Sequence, residues 1–244
     1  MRFLTAVLLG LLLSVSQASD NEHSIERFSE SVIIKTPTKA KIVNPYGDIR
    51  IRKADDEEFI YHGVAQSSAE QEVKFSFTHE NGVITASVQY SNPEQLSPQD
   101  RYDLAIVVPA GVELDIDIER GRLSSKGLDN VVKVQSKTSD ITLKTSQAVD
   151  LFTETGDISL TVKGSDKNVN STIQSYQGRV TVMYNQQMPL FQVKTGNHIT
   201  SNSVALLQTK TQSQRTQLMG QKNANKTIQI TTDSGAINLI DLAL

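Results

Sequence analysis

The chain contains no cysteine and no tryptophan, and aromatic residues make up only 5% of it. Without cysteine there are no disulfides, no lipid-modified N-terminal cysteine and no thiol nucleophile. Charge of one sign is also missing. The formal net charge is −3 over 244 residues, and no stretch clusters Lys or Arg. That argues against nucleic acid, which is held through basic patches, and against an anionic membrane surface. The histidines His23, His62, His79 and His198 are scattered, so no local zinc signature appears. A Gly-x-Ser-x-Gly elbow and a phosphate-binding loop are both absent. Beyond the first residues, helical periodicity is nearly absent and no apolar run reaches membrane-spanning length.

What is present begins with a leader. Arg2 supplies a positive start, Phe3 to Leu13 is apolar but short for a bilayer, and Ser16-Gln17-Ala18 offers small residues for cleavage. Residues 1–18 therefore read as a signal peptide, and the mature protein is expected to be exported, either periplasmic or extracellular. The polar stretch Asp20 to Ser31 is expected to be flexible or loosely docked.

Strand patterns follow. Val73–Phe77 and Val83–Tyr90 flank Glu80-Asn81-Gly82, a strong hairpin signal. Tyr102–Val108 reads as a buried strand stopped by Pro109-Ala110-Gly111. From Val112 to Ile118 apolar and acidic residues alternate strictly, which marks a half-buried strand. Val112, Leu114, Ile116 and Ile118 take one face, and Glu113, Asp115 and Asp117 the other.

A repeated unit then dominates. Its clearest copy is Leu151 to Leu160, Leu-Phe-Thr-Glu-Thr-Gly-Asp-Ile-Ser-Leu. The pattern is apolar, any, Ser/Thr, any, Ser/Thr, Gly, polar, apolar, any, apolar. Copies start at Ile42, Ile116, Val134, Leu151, Ile173, Phe191, Leu207 and Ile230, the later ones about 16 to 23 residues apart. The turn position holds Gly47, Gly121, Ser139, Gly156, Gly178, Gly196, Gln212 and Gly235. Glycine there implies either positive φ or a tight corner. The copies at Phe191 and Leu207 are degraded, and one extra residue would put Ile199 in the place of His198.

Stacked copies turn sequence positions into columns. The third position, with Ser136, Thr153, Ser175, Thr209 and Thr232, points inward beside the first. Its hydroxyls can satisfy backbone at a corner. The residue after glycine gives Arg122, Asp140, Asp157, Arg179 and Asn197. Two neighbouring Asp could hold calcium, but flanking Arg makes ion pairing the better reading. Outward columns place Gln135, Phe152, Gln174 and Gln192 beside Glu119, Lys137, Glu154, Tyr176 and Lys194. Gln135, Phe152, Glu154, Gln174, Tyr176 and Gln192 form the candidate binding face, suited to an extended polysaccharide or peptide. Amide ladders and Glu119–Lys137–Glu154 pairs that merely support the stack account for the same residues. No catalytic or metal-binding constellation stands out, and nothing calls for a cofactor. Asp115, Asp117 and Glu119 are the densest acidic cluster, and an outward strand face explains their spacing.

Tyr102–Ile118, followed by Gly121-Arg-Leu, Ser139-Asp-Ile-Thr-Leu, Gly156-Asp-Ile-Ser-Leu and Gly178-Arg-Val-Thr-Val, resembles the bacterial putative-adhesin family, or domain of unknown function 4097. The resemblance implies a β-solenoid of the cell envelope and brings no catalytic residues. The expected fold is all-β. A hairpin-containing N-terminal region, residues 19–115, leads into a parallel β-solenoid (β-helix), residues 116–244. Solenoid ends need covering. The N-terminal region would cap one end, and Ile240-Asp-Leu-Ala-Leu244 the other. The expected function is non-enzymatic binding or scaffolding, with a carbohydrate-active enzyme of β-helix type as the alternative. Expected partners are an envelope polysaccharide or protein. Nucleic acid and a membrane span after leader cleavage are not expected, and end-to-end association of copies stays open.

Overall fold

A computed structural model describes residues 23–35, 38–68, 71–164, 169–185, 188–208, 211–213, 216–220, 224 and 226–243. The leader expected over residues 1–18 lies outside the described residues. The N-terminal part holds β1 (His23–Ile33), β2 (Lys39–Tyr46), β3 (Ile49–Lys53), β4 (Glu58–Ser68), β5 (Val73–Glu80), β6 (Val83–Tyr90) and β7 (Arg101–Val108). Paired short strands follow: β8 (Glu113–Arg120) and β9 (Arg122–Lys126), β10 (Val132–Ser136) and β11 (Asp140–Thr145), β12 (Val149–Thr153) and β13 (Ile158–Val162). After them come β14 (Val169–Ser175) and β15 (Val180–Tyr184), then β16 (Leu190–Thr195) and β17 (Ile199–Ser201). Last are helix α1 (Val204–Gln208), β18 (Thr211–Ser213), β19 (Thr216–Gly220), β20 (Lys226–Thr232) and β21 (Ile237–Asp241).

The first strand of each copy enters one sheet and the second enters the other, because the corner turns the chain between them. Sheet I has ten strands in the order β1-β4-β7-β3-β9-β11-β13-β15-β21-β17. Sheet II has eleven, in the order β18-β19-β16-β20-β14-β12-β10-β8-β2-β6-β5. Both are mixed. The copies pair in parallel, whereas β1-β4-β7, β6-β5 and β16-β19-β18 pair antiparallel. The chain is therefore all-β, with two large mixed sheets.

Alternation puts one face of each strand inside. Leu114, Ile116 and Ile118 of β8 are fully buried, and so are Val134, Leu151, Ile173, Ile230, Val180 and Ile237. These residues from both sheets belong to one hydrophobic cluster, as a two-layer fold requires. The register follows the sequence pattern over most of the stack. Ile42, Ile116, Val134, Leu151, Ile173 and Ile230 are direct neighbours in line.

Four expectations are corrected. First, the copy placed at Phe191 is shifted by two residues. Val193 stands against Ile230 and Phe191 against Ile228. Ile199 pairs with Ile237, so this corner is shorter, and aligning on Gly196 misplaces it. Second, no strand starts at Leu207, because α1 runs through Gln208. Third, the C-terminal segment does not cover an end. The pair β20–β21 lies between β14–β15 and β16–β17. The far end is made by β17, β18 and β19, with α1 against β17 and β19. Fourth, His23–Ile33 is a long strand paired throughout with β4. Phe28 anchors it against Phe75 and Tyr102, at ring-centroid distances of 5.3 and 6.0 Å. The Asn81-Gly82 hairpin forms as expected, with φ of 51° and 75°, the positive pair that a tight hairpin turn demands.

The corners are built from hydroxyls and glycines together. Thr153 Oγ1 accepts from Gly156 N at 3.2 Å, Ser175 Oγ from Gly178 N at 2.9 Å, and Thr232 Oγ1 from Gly235 N at 2.9 Å. Ser136 Oγ does the same for Ser139 N. Each hydroxyl thus satisfies a buried donor that the turn leaves over. Gly47 and Gly121 meet both conditions: φ is +135° and +133°, and a Cβ would lie 2.0 Å from Tyr102 O and 2.1 Å from Gly47 O respectively. Gly156, Gly178 and Gly235 are there for closeness. A Cβ on each would lie 1.9 Å from the corner carbonyl oxygen of its neighbour in the stack. Replacing Thr153 with valine keeps the shape and removes the acceptor. It is expected to cost about 1–3 kcal/mol, read as a lower urea midpoint with an unchanged slope.

Candidate functional site

The candidate face is the outer surface of sheet II. Its position follows from the core register, because every residue between two buried ones must point out. Gln135, Phe152 and Gln174 are direct neighbours on β10, β12 and β14. Thr231 of β20 continues the row, and Lys194 of β16 follows it. Phe152 is half-buried and Tyr176 is 40% exposed. Their rings meet edge to face, with centroids 5.3 Å apart and planes at 84°. That geometry sets the positive edge of one ring against the negative face of the other. Glu154 is exposed at the corner between them in sequence.

Gln192 is not part of this row. The shift of β16 moves it one outward column away, where Gln229 Nε2 donates to Gln192 Oε1 at 3.1 Å. Lys194 likewise stands beside Thr231 and not beside Tyr176. Both displacements follow from the two-residue shift of β16 against β20.

The acidic cluster belongs to a charged ladder on the same face. Lys41, Asp115, Lys133 and Asp150 stand side by side along the stack. Lys39 Nζ reaches Asp115 at 3.0 Å and Glu113 at 3.5 Å, and Lys137 Nζ reaches Glu119 at 2.9 Å. The Lys137 pKa is raised chiefly by its hydrogen bond to Glu119, and the Glu154 charge adds to this. Desolvation and the neighbouring Glu119 push the Asp117 carboxyl up, while Lys41 and Lys137 pull it back. Interleaved charges of this kind describe a solvated sheet face.

The column after the corner glycine has a different role from the one its composition suggests. Asp140 Oδ1 accepts from Asp157 N at 3.0 Å, and Asp157 Oδ1 accepts from Arg179 N at 2.7 Å. Asp48 Oδ1 accepts from Arg122 N at 3.1 Å, and Asp103 Oδ1 from Asp48 N at 2.8 Å. Each carboxylate caps the backbone of the next strand pair, and the arginines contribute main-chain N–H groups, so backbone capping takes the place of the expected ion pairing. Sequence columns name residue types, not which atom meets which, so this ladder was not visible in them. Among the described residues, no group of three or more His, Asp and Glu converges to hold a metal ion. His198 is exposed beside Asn197, and Ile199 takes the apolar column in its place.

The outer face of sheet I carries a row that sequence reasoning missed. Ser124, Thr142, Ser159, Thr181, Asn238 and Thr200 are consecutive neighbours. Thr200 Oγ1 donates to Asn238 Oδ1 at 2.6 Å. The row could have been found from the second-to-last position of the unit, which is small and polar in most copies.

No family model matches the chain, and no curated protein matches it. Among solved structures, the chain is similar to a putative cell adhesion protein from Clostridium sporogenes, with 14% identity over 88% of this chain and 100% of that one, at a TM-score of 0.50. It is also similar to a putative adhesin from Bacteroides fragilis, with 9% identity over 89% of this chain and 97% of that one, at a TM-score of 0.45. At 14% identity the first likeness is one of fold. Among the described residues, no helix is long and apolar enough to cross a membrane.

Proposed function

We propose that the protein is a non-enzymatic, adhesin-like binding or scaffolding protein of the cell envelope, exported behind the leader at residues 1–18. In this reading it belongs to the putative-adhesin family that its repeat resembles. The parallel centre of the two sheets acts as a short solenoid, and the residues before 116 serve chiefly as its cap. The ligand is an extended envelope polysaccharide lying along the stack. The observation that carries the reading is the Phe152–Tyr176 pair, set among Gln135, Gln174 and Thr231. Aromatic faces suit the apolar face of a sugar ring, and flanking amides suit its hydroxyls. Strands about 4.8 Å apart repeat that chemistry along the row. The fold shared with the Clostridium sporogenes protein supports the same reading.

The test is co-sedimentation of the purified chain with insoluble envelope polysaccharide, comparing the natural chain with a Phe152→Ala, Tyr176→Ala double variant. The natural chain is expected to sediment with the polysaccharide. The variant should bind at least about tenfold more weakly, as removal of a central aromatic anchor does. Equal binding by both would refute the face. Release of new sugar ends during the incubation would refute the non-enzymatic reading.

A further inference from the structure

Strand β1 forms one edge of sheet I. It pairs along its whole length with β4, and its other edge has no strand partner among the described residues. A long free edge is a template for a further strand. Two features make this one more than a solvated edge. Its outer face carries Ile25 and Ile33, 54% and 59% exposed, whereas Arg27, Ser29 and Ser31 between them are polar. Ile25 and Ile33 are also equidistant from Ser29.

The charges on β1 select among the ways in which two copies could meet. A two-fold axis perpendicular to the sheet must pass between the two copies of one residue of an antiparallel pair, so the central registers, with the axis at residues 26 to 30, can be taken one by one. With the axis at Glu26, Arg27 or Glu30, that charged residue lies against its own copy. With the axis at Phe28, Glu26 lies against Glu30 on both sides. Like charges directly opposite each other destabilise a sheet. With the axis at Ser29, Arg27 faces Ser31, Phe28 faces Glu30, Glu26 faces Val32, and Ile25 faces Ile33 at each end. This register opposes no like charges, and it covers both exposed isoleucines.

We infer that the free edge of β1 pairs antiparallel with β1 of a second copy of the chain, on a two-fold axis at Ser29. The contact is isologous, so it closes after two copies and cannot propagate into a filament. It joins the two sheets I into one continuous sheet and leaves the Phe152 face open on both copies. It is independent of what that face binds.

Because the chain has no cysteine, the register can be read directly. Under mild oxidation Ser29→Cys is expected to give a disulfide-linked dimer, since residues facing each other across the axis lie within disulfide reach. Ser31→Cys is expected to give none, because its two copies would be about 13 Å apart along the strands. By sedimentation velocity the unmodified chain should form dimers as concentration rises. Ile25→Lys and Ile33→Lys should each sediment as monomer with an unchanged far-UV spectrum. A natural chain that stays monomeric at every concentration overturns the inference. Stronger cross-linking of the Ser31→Cys variant than of the Ser29→Cys variant, or dimers that persist in both lysine variants, overturns it equally.

Discussion

Gly156→Val is expected to unfold most of the protein at ambient temperature. The valine Cβ would lie 1.9 Å from Ser139 O and 2.4 Å from Ser139 C. Neither is the tip of a flexible side chain. Both are backbone at the corner of the neighbouring strand pair, whose own spacing is set by the parallel ladder. Relief would require the corners to separate, which breaks hydrogen bonds on both sides of the turn. A cost of about 4 kcal/mol or more is expected, against a total stability of about 5–15 kcal/mol for a domain. Phe152→Ala, four residues away, is expected to cost about 1 kcal/mol, chiefly the edge-to-face contact with Tyr176. Urea melts of the two variants beside the natural chain check the pair. Equal losses would mean that the inward and outward assignments around Leu151–Leu160 are wrong.

Phe191→Ala is expected to cost about 3–5 kcal/mol. Phe191 is fully buried and packs on Tyr184 with ring centroids 5.6 Å apart. Truncation leaves a cavity that the surrounding strands cannot close, because Ile228 beside it is held between β14 and β16. His198→Ala, in the same copy, should change stability by less than about 0.5 kcal/mol, since the imidazole is exposed. A thermal melt separates the two. A mild Phe191→Ala would contradict the packing of its ring in the core against Tyr184.

Much of the architecture was legible in the repeat. The alternation of Val112 to Ile118 marks a one-sided strand, and the same columns predict which of Ile42, Ile116, Val134, Leu151, Ile173 and Ile230 stand in line. The hydroxyl at Thr153 or Ser175 announced a corner, because a buried hydroxyl needs a backbone partner. Spatial order was not legible. Every copy offers its neighbour the same edge chemistry, so nothing in Ile230–Ile237 says that it belongs between β14 and β16. The shift of β16 escaped because Gly196 resembles the other corner glycines, while the core residues Phe191 and Val193 fit either alignment by parity. Strand β1 was hidden by its many Ser and Glu residues. Only Phe28 and Val32 face the core, and their partners lie on distant strands. Of the candidate face, Gln135, Phe152, Gln174 and Tyr176 come together as columns require, and Gln192 leaves with the shifted strand.

The central claim is that the outer row runs from Phe152 through Gln174 to Thr231, with the last strand pair placed inside the stack. Paired cysteines in this cysteine-free chain test it most directly. Gln174 and Thr231 are parallel neighbours, about 4.8 Å apart between strands and within the reach of a disulfide. The Gln174→Cys, Thr231→Cys variant is expected to form an intramolecular disulfide readily, while Gln174→Cys, Gln192→Cys, the pair that chain order alone would bring together, stays reduced. Ready bridging of 174 to 192 with none of 174 to 231 would contradict the placement of β20 and the face built on it.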